Sequence, residues 1–227
     1  MNSVERSVYK VVETFVSING EGAKSGSLAL FIRFQGCNLH CDYCDTEWAN
    51  RDDAPYTEWT DDEIIDLVRE SKVKNVTLTG GEPLIQKDID KLINRLITET
   101  DCRIEIETNG TISIEKWDGY YNNLSFTLDY KLPGSGVPHF VHTKNYGYLS
   151  EEDTVKFVCS NEEDLDVARE VIEKYSLSEK CNVFLSPVFG KIEPSEIVDY
   201  MMKHRMNGVR LQLQLHKFIW DPEKRGV

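Results

Sequence analysis

The sequence predicts an α/β fold: an open, partial (β/α) barrel of about six parallel strands, in which some helices are curtailed. Short apolar strand patterns alternate along the chain with amphipathic helix patterns, which is typical of parallel strands joined by right-handed crossovers. Six or seven such units are too few for a complete eight-stranded barrel. Several strands also alternate polar and apolar residues, which indicates a polar lumen on one face and an apolar layer on the other.

The first clear strand runs from Leu28 to Phe34 and leads directly into a loop that contains three cysteines. Residues 8–27, which precede it, mix apolar positions with a glycine-containing turn and are assigned to no element. Further strand patterns lie at 75–79, 103–107, 124–129, 154–159, 182–186 and 209–215. With 227 residues, the chain is expected to form one domain over residues 1–227.

The helix patterns between these strands carry recognisable start signals. Thr60 can cap a helix that begins with three acidic residues, and Ser160 fits a capping box. Ser195 is a candidate cap for the last helix. The connection between the strands that end at 107 and begin at 124 is short and aromatic, so we expect its helix to be curtailed or lost.

The last strand pattern shows the alternation most clearly. Four apolar residues of 209–215 alternate with polar residues, and the polar set continues through Gln212 and Gln214 to His216. A period of two predicts that these polar side chains line the lumen. An edge strand with one solvated face is the alternative interpretation. The same alternation predicts lumen positions for Glu105 and Asp129.

Composition excludes some classes of function. A net charge of −13 at pH 7 argues against a nucleic-acid-binding surface. No apolar run approaches the length of a membrane span. The first residues show no signal-peptide pattern, so a cytoplasmic location is expected.

The cysteine loop is the strongest chemical signal. Cys37, Cys41 and Cys44 have the spacing C-x3-C-x2-C, which can hold three corners of a cubic iron–sulfur cluster. Electron-transfer clusters usually take four cysteines, so the fourth iron would keep an open position for a ligand. A zinc loop is the alternative, with His40 inside the trio, although zinc sites usually show two separated pairs of ligands. The other cysteines are expected to be small core residues: Cys102, Cys159 and Cys181.

A glycine turn follows the second strand of the series. Gly80 and Gly81 would let a ligand approach the backbone closely, and Glu82 offers an acceptor for an ammonium group. The turn lies at the carboxyl end of a strand, where the active sites of such folds are found.

Together, the cysteine loop and the Gly-Gly-Glu-Pro turn resemble the radical S-adenosylmethionine superfamily. The resemblance implies that the three cysteines hold a [4Fe–4S] cluster whose open iron binds S-adenosylmethionine. Electron transfer from the cluster then yields a 5′-deoxyadenosyl radical, which removes a hydrogen atom from the substrate. By this resemblance, the residues expected to contact the cofactor are Gly80, Gly81, Glu82, Glu107, Asn109, Asp129 and Lys131.

Four further features narrow the resemblance: Asn19-Gly-Glu21-Gly, Arg33, Asp45-Thr46 and Gln214-Leu215-His216-Lys217. Together they are similar to the 7-carboxy-7-deazaguanine synthase family, over nearly the whole chain. The family implies ring contraction of 6-carboxy-5,6,7,8-tetrahydropterin to 7-carboxy-7-deazaguanine with loss of ammonia, in 7-deazapurine (queuosine) biosynthesis. It also implies magnesium, a homodimer and a reductant of the flavodoxin or ferredoxin type.

Residue roles follow from this family resemblance. Arg33 is a forked donor suited to a substrate carboxylate, and Thr46 has a hard oxygen suited to magnesium. The remaining substrate contacts would come from Asn19, Glu21 and His216. The family pattern has glutamine in place of Asn19 and often serine in place of Asp129, so those two contacts stay open. Two other functions are also open: an activating enzyme for a glycyl radical protein and a non-catalytic zinc-binding module.

Overall fold

The fold is built on one twisted sheet. The computed structural model describes residues 6–119, 123–137 and 142–227. Its strands are β1 (Val8–Ile18), β2 (Leu28–Phe34), β3 (Thr57–Thr60), β4 (Asn75–Gly80), β5 (Arg103–Thr108), β6 (Leu124–Tyr130), β7 (Thr154–Cys159), β8 (Asn182–Pro187) and β9 (Val209–Leu211). In the described part of the chain their order is β3-β1-β2-β4-β5-β6-β7-β8-β9.

Parallel pairing dominates this sheet. Six parallel pairs join the seven strands β2 and β4 to β9, whereas β1 pairs antiparallel with both β2 and β3. The sheet ends at β3 and β9 and does not close. The prediction of an open, partial barrel is therefore confirmed, with one parallel strand more than the expected six.

Among the described residues, four long helices cover the apolar face of the sheet, and two short ones follow the loops at its carboxyl end. They are α1 (Glu47–Asn50), α2 (Asp61–Ser71), α3 (Ile89–Glu99), α4 (Glu162–Tyr175), α5 (Pro194–His204) and α6 (His216–Ile219). The apolar stripes of α2 to α5 are buried, as Ile64 of α2 and Leu92 of α3 illustrate, whereas α6 has no buried residue. Between β5 and β6, the described residues form only a short 3₁₀ turn, Glu115–Trp117, so the curtailed helix is confirmed. None of the helices in the described ranges has the length and apolarity that a membrane crossing requires.

Two of the three predicted helix caps differ from the structure. Thr60 caps α2 in a complete capping box, as expected. At α4 the cap is Asn161, whose side chain accepts a hydrogen bond from the backbone of Asp164, so the prediction of Ser160 is wrong. Helix α5 begins at Pro194, one residue before the predicted cap Ser195. Proline is favoured at a first helical position because its fixed φ suits the helix and its missing N–H is not needed there.

The sequence pattern missed β1 and β3. Strand β1 is long, but its register against β2 shifts between Val11 and Glu13. Such a bulge interrupts the period of two that identifies a strand, so the pattern of β1 is hidden. Strand β3 has only four residues and two of them are exposed, which leaves no apolar signal.

The last strand is shorter than predicted. Strand β9 ends at Leu211, and α6 begins at His216. The side chain of Gln212 instead accepts a hydrogen bond from the Gly22 amide at 2.9 Å and donates one to the Gly22 carbonyl at 3.2 Å. The predicted alternation beyond Leu211 is therefore wrong, and β9 is an edge strand. The segment after it contacts the loop after β1 and so partly closes the mouth of the barrel.

The polar lumen predicted for the other strands is confirmed. Adjacent strands place polar residues side by side on one face: Arg33 pairs with Thr79, Glu105 with Ser125, Glu107 with Thr127, and Asp129 with Lys156. Apolar neighbours such as Ile32, Leu78 and Ile106 point to the opposite face and are fully buried. The sheet thus presents a charged inner surface near the carboxyl ends of its parallel strands.

Candidate active site

The cysteine loop joins β2 to α1 and is held from several sides. The backbone of Gly36 donates to the Ala49 carbonyl at 3.3 Å, and Asp42 donates to the Ser135 carbonyl at 2.9 Å. Cys37, Cys41 and Cys44 are free thiols of intermediate exposure. A short loop fixed at these points keeps the three thiols at the carboxyl end of the sheet.

Hydrogen-bond donors surround two of the three sulfur atoms. Cys37 Sγ accepts from the Leu39 amide at 3.4 Å and from Asn109 Nδ2 at 3.7 Å. Cys44 Sγ accepts from Asn50 Nδ2 at 3.5 Å. Burial raises the pKa of all three thiols, and a bound metal cation overcomes such a shift by deprotonating its ligands. The donors suit thiolate ligands of an iron–sulfur cluster.

The described ranges hold no group of three or more His, Cys, Asp or Glu side chains placed around a single metal ion.

The two glycines pack the turn after β4 against the cysteine loop. A Cβ on Gly81 would overlap the carbonyl oxygen of Gly36, the Cβ of Cys37 and the side chain of Asn50. Gly80 has a φ of +148°, a conformation that side chains rarely adopt. The glycines thus allow the turn to contact the cysteine loop directly, which is a role that the sequence analysis did not predict.

Glu82 fixes this turn to the end of β5. Its side chain is fully buried and accepts hydrogen bonds from the Thr108 hydroxyl at 2.9 Å, the Asn109 amide at 2.7 Å and the Leu84 amide at 3.0 Å. Burial raises the pKa of Glu82, and these donors oppose the rise. The carboxylate therefore supports the turn, and its expected contact with a cofactor ammonium stays a prediction.

Asn109 also belongs to the support of the cysteine loop. Its Nδ2 donates to Asn38 Oδ1 at 2.9 Å as well as to the cysteine sulfur, and its Oδ1 accepts from the Thr111 amide at 3.0 Å. The side chain predicted to approach the cofactor thus holds the loop that carries the cluster ligands.

The lumen begins with Arg33 on β2. Its Nε donates to Glu13 Oε1 at 2.8 Å, and its side chain is 17% exposed. Within the described residues, no hydrogen bond reaches its two terminal amino groups. These groups can receive a carboxylate from a ligand.

Asn19 lies beneath the lumen and does not open into it. It is buried, its Nδ2 donates to Glu105 Oε2 at 3.2 Å, and its Oδ1 accepts from Thr77 at 3.1 Å. Both ends of the amide are used. The predicted substrate contact by the Asn19 side chain stays a prediction, because the amide keeps a second N–H and a second lone pair beyond these two bonds.

Two carboxyl groups form the floor of the lumen. Glu105 accepts from Thr127 at 2.8 Å, and Glu107 accepts from Thr79 at 2.7 Å. Burial, together with the neighbouring Glu107, raises the pKa of Glu105 to about 7. The pKa of Glu107 is raised by burial as well. One of the two can therefore hold a proton near neutral pH.

Two lysines neutralise the other lumen carboxylates. Lys131 Nζ donates to Asp129 Oδ2 at 2.9 Å, and Lys156 Nζ donates to Glu21 Oε2 at the same distance. The sequence analysis missed Lys156. The signal was available, since Lys156 is the one charged residue in the apolar strand β7.

The mouth of the lumen is formed by residues after the cysteine loop and by α6. Thr46 Oγ1 donates to Asp45 Oδ1 at 2.7 Å. Asp45 is exposed by its accessible surface. Desolvation by the surrounding chain tends to raise its pKa, but Thr46, Lys156, Lys217 and Arg33 outweigh this effect, and the pKa lies below the usual value. An ionised carboxylate beside a hydroxyl is a suitable set of oxygens for a hard cation.

His216 reaches the same mouth from the first turn of α6, not from a strand as predicted. Its imidazole lies against Gly20 so closely that a Cβ there would overlap it. Burial lowers the pKa of His216, while the nearby carboxylate of Glu21 opposes the shift. The structure thus brings His216 and Glu21 together, although they are far apart in sequence.

Comparison with known proteins agrees with this geometry. Residues 31–129 match the family described as the radical SAM superfamily. The chain is 54% identical over 219 residues to the 7-carboxy-7-deazaguanine synthase of Clostridium acetobutylicum, covering 96% of this chain and 99% of the relative. The synthase of Chlorobaculum tepidum is 35% identical over 96% of each chain.

A solved structure supports the fold. The crystal structure of QueE from Escherichia coli aligns with a TM-score of 0.68 at 20% identity and covers 91% of this chain and 94% of that chain.

The matched region and the cysteine loop define a radical S-adenosylmethionine protein, and this class implies a [4Fe–4S] cluster together with S-adenosylmethionine. Within the superfamily, the chain belongs to the family of 7-carboxy-7-deazaguanine synthases.

Proposed function

We propose that this chain converts 6-carboxy-5,6,7,8-tetrahydropterin to 7-carboxy-7-deazaguanine with loss of ammonia, in the biosynthesis of 7-deazapurines such as queuosine. The main support is that the cysteine loop lies beside the charged lumen, at the carboxyl end of the same parallel strands. Asp45, the residue after Cys44, interacts electrostatically with Arg33 and Lys156. A substrate bound among these charges would lie beside the cluster ligands.

The lumen offers groups that match the chemistry of a carboxylated pterin. Arg33 supplies terminal amino groups for the carboxylate. Glu21 Oε1 is buried without a hydrogen-bond partner among the described residues and can accept an N–H of the ring. His216 can donate or accept as a neutral imidazole because burial lowers its pKa. When bound, the cluster and S-adenosylmethionine supply the radical that removes a hydrogen atom from the substrate.

Magnesium is the second part of the proposal. Thr46 would contribute its hydroxyl oxygen, and the lowered pKa of Asp45 keeps a negative charge beside it. Mg²⁺ prefers such oxygen ligands and keeps several of its waters. We expect Thr46→Ala to weaken the dependence of the rate on magnesium, whereas Thr46→Ser keeps the hydroxyl and the dependence.

We further propose a cytoplasmic homodimer that is reduced by a protein of the flavodoxin or ferredoxin type. The acidic character of the chain suits a small-molecule substrate better than a nucleic acid. Mixing the reconstituted, oxidised protein with each candidate reductant in its reduced form and measuring the rate of cofactor cleavage tests the reductant. Light scattering tests the dimer.

The deciding experiment is anaerobic reconstitution followed by turnover. About four irons per chain and a broad visible band are expected for the cluster, whereas one zinc without a band would overturn the proposal. The reconstituted protein is then incubated with the tetrahydropterin, S-adenosylmethionine, magnesium and a reductant. Mass spectrometry should detect 7-carboxy-7-deazaguanine. Formation of 5′-deoxyadenosine alone would mean that the substrate is wrong.

A further inference from the structure

Lys156 occupies the middle of the lumen. It lies on β7, and its side chain is 12% exposed. Its Nζ is 2.9 Å from Glu21 Oε2 and 3.8 Å from Asp129 Oδ2. Asp129 lies beside Lys131, whose charge acts on the thiols of Cys37, Cys41 and Cys44. A continuous row of four charges therefore runs from Glu21, on the substrate side, to Lys131, on the side of the cysteine loop.

Each carboxylate in this row has one oxygen without a partner. Glu21 Oε1 and Asp129 Oδ1 are both buried and make no hydrogen bond within the described residues. Buried acceptors are rarely left in this state, because the loss of hydration is not compensated. The lysine ammonium thus holds one oxygen of Glu21, lies near one of Asp129, and leaves the other oxygen of each available for a donor from a ligand.

The charges around Lys156 come from several elements, whereas strand β8 places the apolar Phe184 beside it. Glu21 follows β1, Asp129 lies on β6 and Glu107 on β5, and all three stabilise the charged ammonium against the effect of burial. Asp45 of the cysteine loop and His216 of α6 also interact with it. The position of Lys156 therefore joins the strands that carry substrate contacts to those that carry cofactor contacts.

We propose that Lys156 is a positioning residue that aims the free oxygen of Glu21 at the substrate and the free oxygen of Asp129 at S-adenosylmethionine. The inference rests on the proposed function for the identity of the substrate. In this proposal, Lys156 affects the binding of both ligands although it contacts neither of them. The donors that fit are a ring N–H or amino group for Glu21 and a hydroxyl or amino group for Asp129.

A purely structural ion pair makes a different prediction. Removing the ammonium would then lower thermal stability, because two buried carboxylates lose their counter-charge, but ligand affinities in the folded protein would be unchanged. A positioning role requires that the affinities for both ligands fall. It also requires that cleavage of the cofactor becomes less coupled to product, since the substrate no longer lies in a fixed place.

The test compares Lys156→Met, Lys156→Arg and Asp129→Asn with the wild-type protein, all reconstituted with the cluster. Lys116→Met is the matched control, because Lys116 is exposed on the surface and lies 3.9 Å from its partner Asp90. For each, equilibrium dialysis gives the dissociation constant of S-adenosylmethionine without substrate. Turnover gives the KM of the tetrahydropterin and the ratio of 5′-deoxyadenosine to 7-carboxy-7-deazaguanine.

We expect Lys156→Met to raise the dissociation constant of S-adenosylmethionine and the KM of the tetrahydropterin by about tenfold, because one charge-assisted hydrogen bond is lost at each ligand. The ratio of 5′-deoxyadenosine to 7-carboxy-7-deazaguanine should rise as well. Lys156→Arg should recover much of both affinities, and Lys116→Met should match the wild type. Combining Lys156→Met with Glu21→Gln should add little to the KM of either single variant. Unchanged affinities and ratio in folded Lys156→Met would overturn the proposal.

If Lys156→Met does not fold, Asp129→Asn still tests the contact between Asp129 and S-adenosylmethionine that the proposal requires. This variant keeps the pair between Lys156 and Glu21, so we expect weaker binding of S-adenosylmethionine with an unchanged KM for the pterin. An unchanged dissociation constant would overturn the proposal. The dissociation constant does not depend on the identity of the substrate. If the wild-type protein forms no 7-carboxy-7-deazaguanine, the proposed function is refuted. The effect of Asp129→Asn on the dissociation constant of S-adenosylmethionine can still be measured in that case.

Discussion

Substitution of Gly81 by alanine is expected to damage the cluster site while leaving the rest of the fold in place. Gly81 lies outside the left-handed region of φ, so the added methyl acts only through contact. That methyl would overlap the carbonyl of Gly36, the Cβ of Cys37 and the side chain of Asn50. The Gly36 carbonyl belongs to the main chain and the Cys37 Cβ is attached directly to it. The third neighbour, Asn50, donates a hydrogen bond to Cys44 Sγ. None can move without shifting the cysteine loop.

The size of the effect follows from packing. An extra methyl in a filled site costs about 1–3 kcal/mol, and the main-chain overlap here favours the upper end. For a chain of this length, each kcal/mol lowers the melting temperature by roughly 2–4 °C. We therefore expect Gly81→Ala to melt roughly 6–12 °C lower, or to relieve the overlap by displacing the loop and losing iron.

Gly147→Ala is the matched control. No atom lies within 4 Å of a Cβ built on Gly147, and its φ is not in the left-handed region. The assay measures iron per chain, visible absorbance and melting temperature for the two variants and the wild type. The control should retain about four irons and the wild-type melting temperature.

The result that would refute the reasoning is a Gly81→Ala protein with the iron content and melting temperature of the control. The turn after β4 would then not contact the cysteine loop as described. A lower melting temperature in both variants would show only that alanine is poorly tolerated at glycine positions in this chain.

Three further predictions concern the lumen and the turn. Arg33→Ala should raise the KM of the carboxylated substrate by about 10- to 100-fold, since a hydrogen bond between charged groups is lost, while S-adenosylmethionine cleavage continues. The pKa of Glu105 is raised from 4.5 to about 7, so the folded state keeps a proton that the unfolded chain has released, and stability falls as pH rises between these values. Between pH 5 and pH 8, the free energy of unfolding should therefore decrease by about 3 kcal/mol less in Glu105→Gln than in the wild type. Denaturant unfolding at the two pH values measures this difference. Thr108→Val should destabilise the protein by about 1–3 kcal/mol, because the buried carboxylate of Glu82 loses a donor.

Each of these predictions has a contradicting outcome. Loss of iron in Arg33→Ala would mean that the arginine supports the fold. A difference between wild type and Glu105→Gln that does not change with pH would mean that Glu105 is ionised throughout. Thr108→Ser keeps the hydroxyl and should match the wild type, so equal losses in Thr108→Ser and Thr108→Val would exclude the hydrogen bond as the cause.

Much of the sheet could be predicted because its strands are buried between a lumen and a helix layer. The predicted strands at 75–79 and 103–107 begin at the same residues as β4 (Asn75–Gly80) and β5 (Arg103–Thr108) and end one residue earlier. Their alternation survives because one face is polar and the other apolar. The sequence did not predict β1, since its bulge between Val11 and Glu13 breaks that alternation, nor the end of β9, where Gln212 bonds to a distant loop.

The candidate site divides in the same way. The sequence by itself determined the candidates in the cysteine loop and the glycine turn, because their residue types and spacing along the chain reflect local chemistry, and the family resemblance added Arg33 as a predicted contact. Only the tertiary structure decided that Asn19 is bonded beneath the lumen, that Glu82 fixes the turn to β5 and that Lys156 lies between Glu21 and Asp129. These partners are separated by 26 or more residues. Which buried charges neutralise one another depends on the register and curvature of the sheet, and no local pattern encodes either.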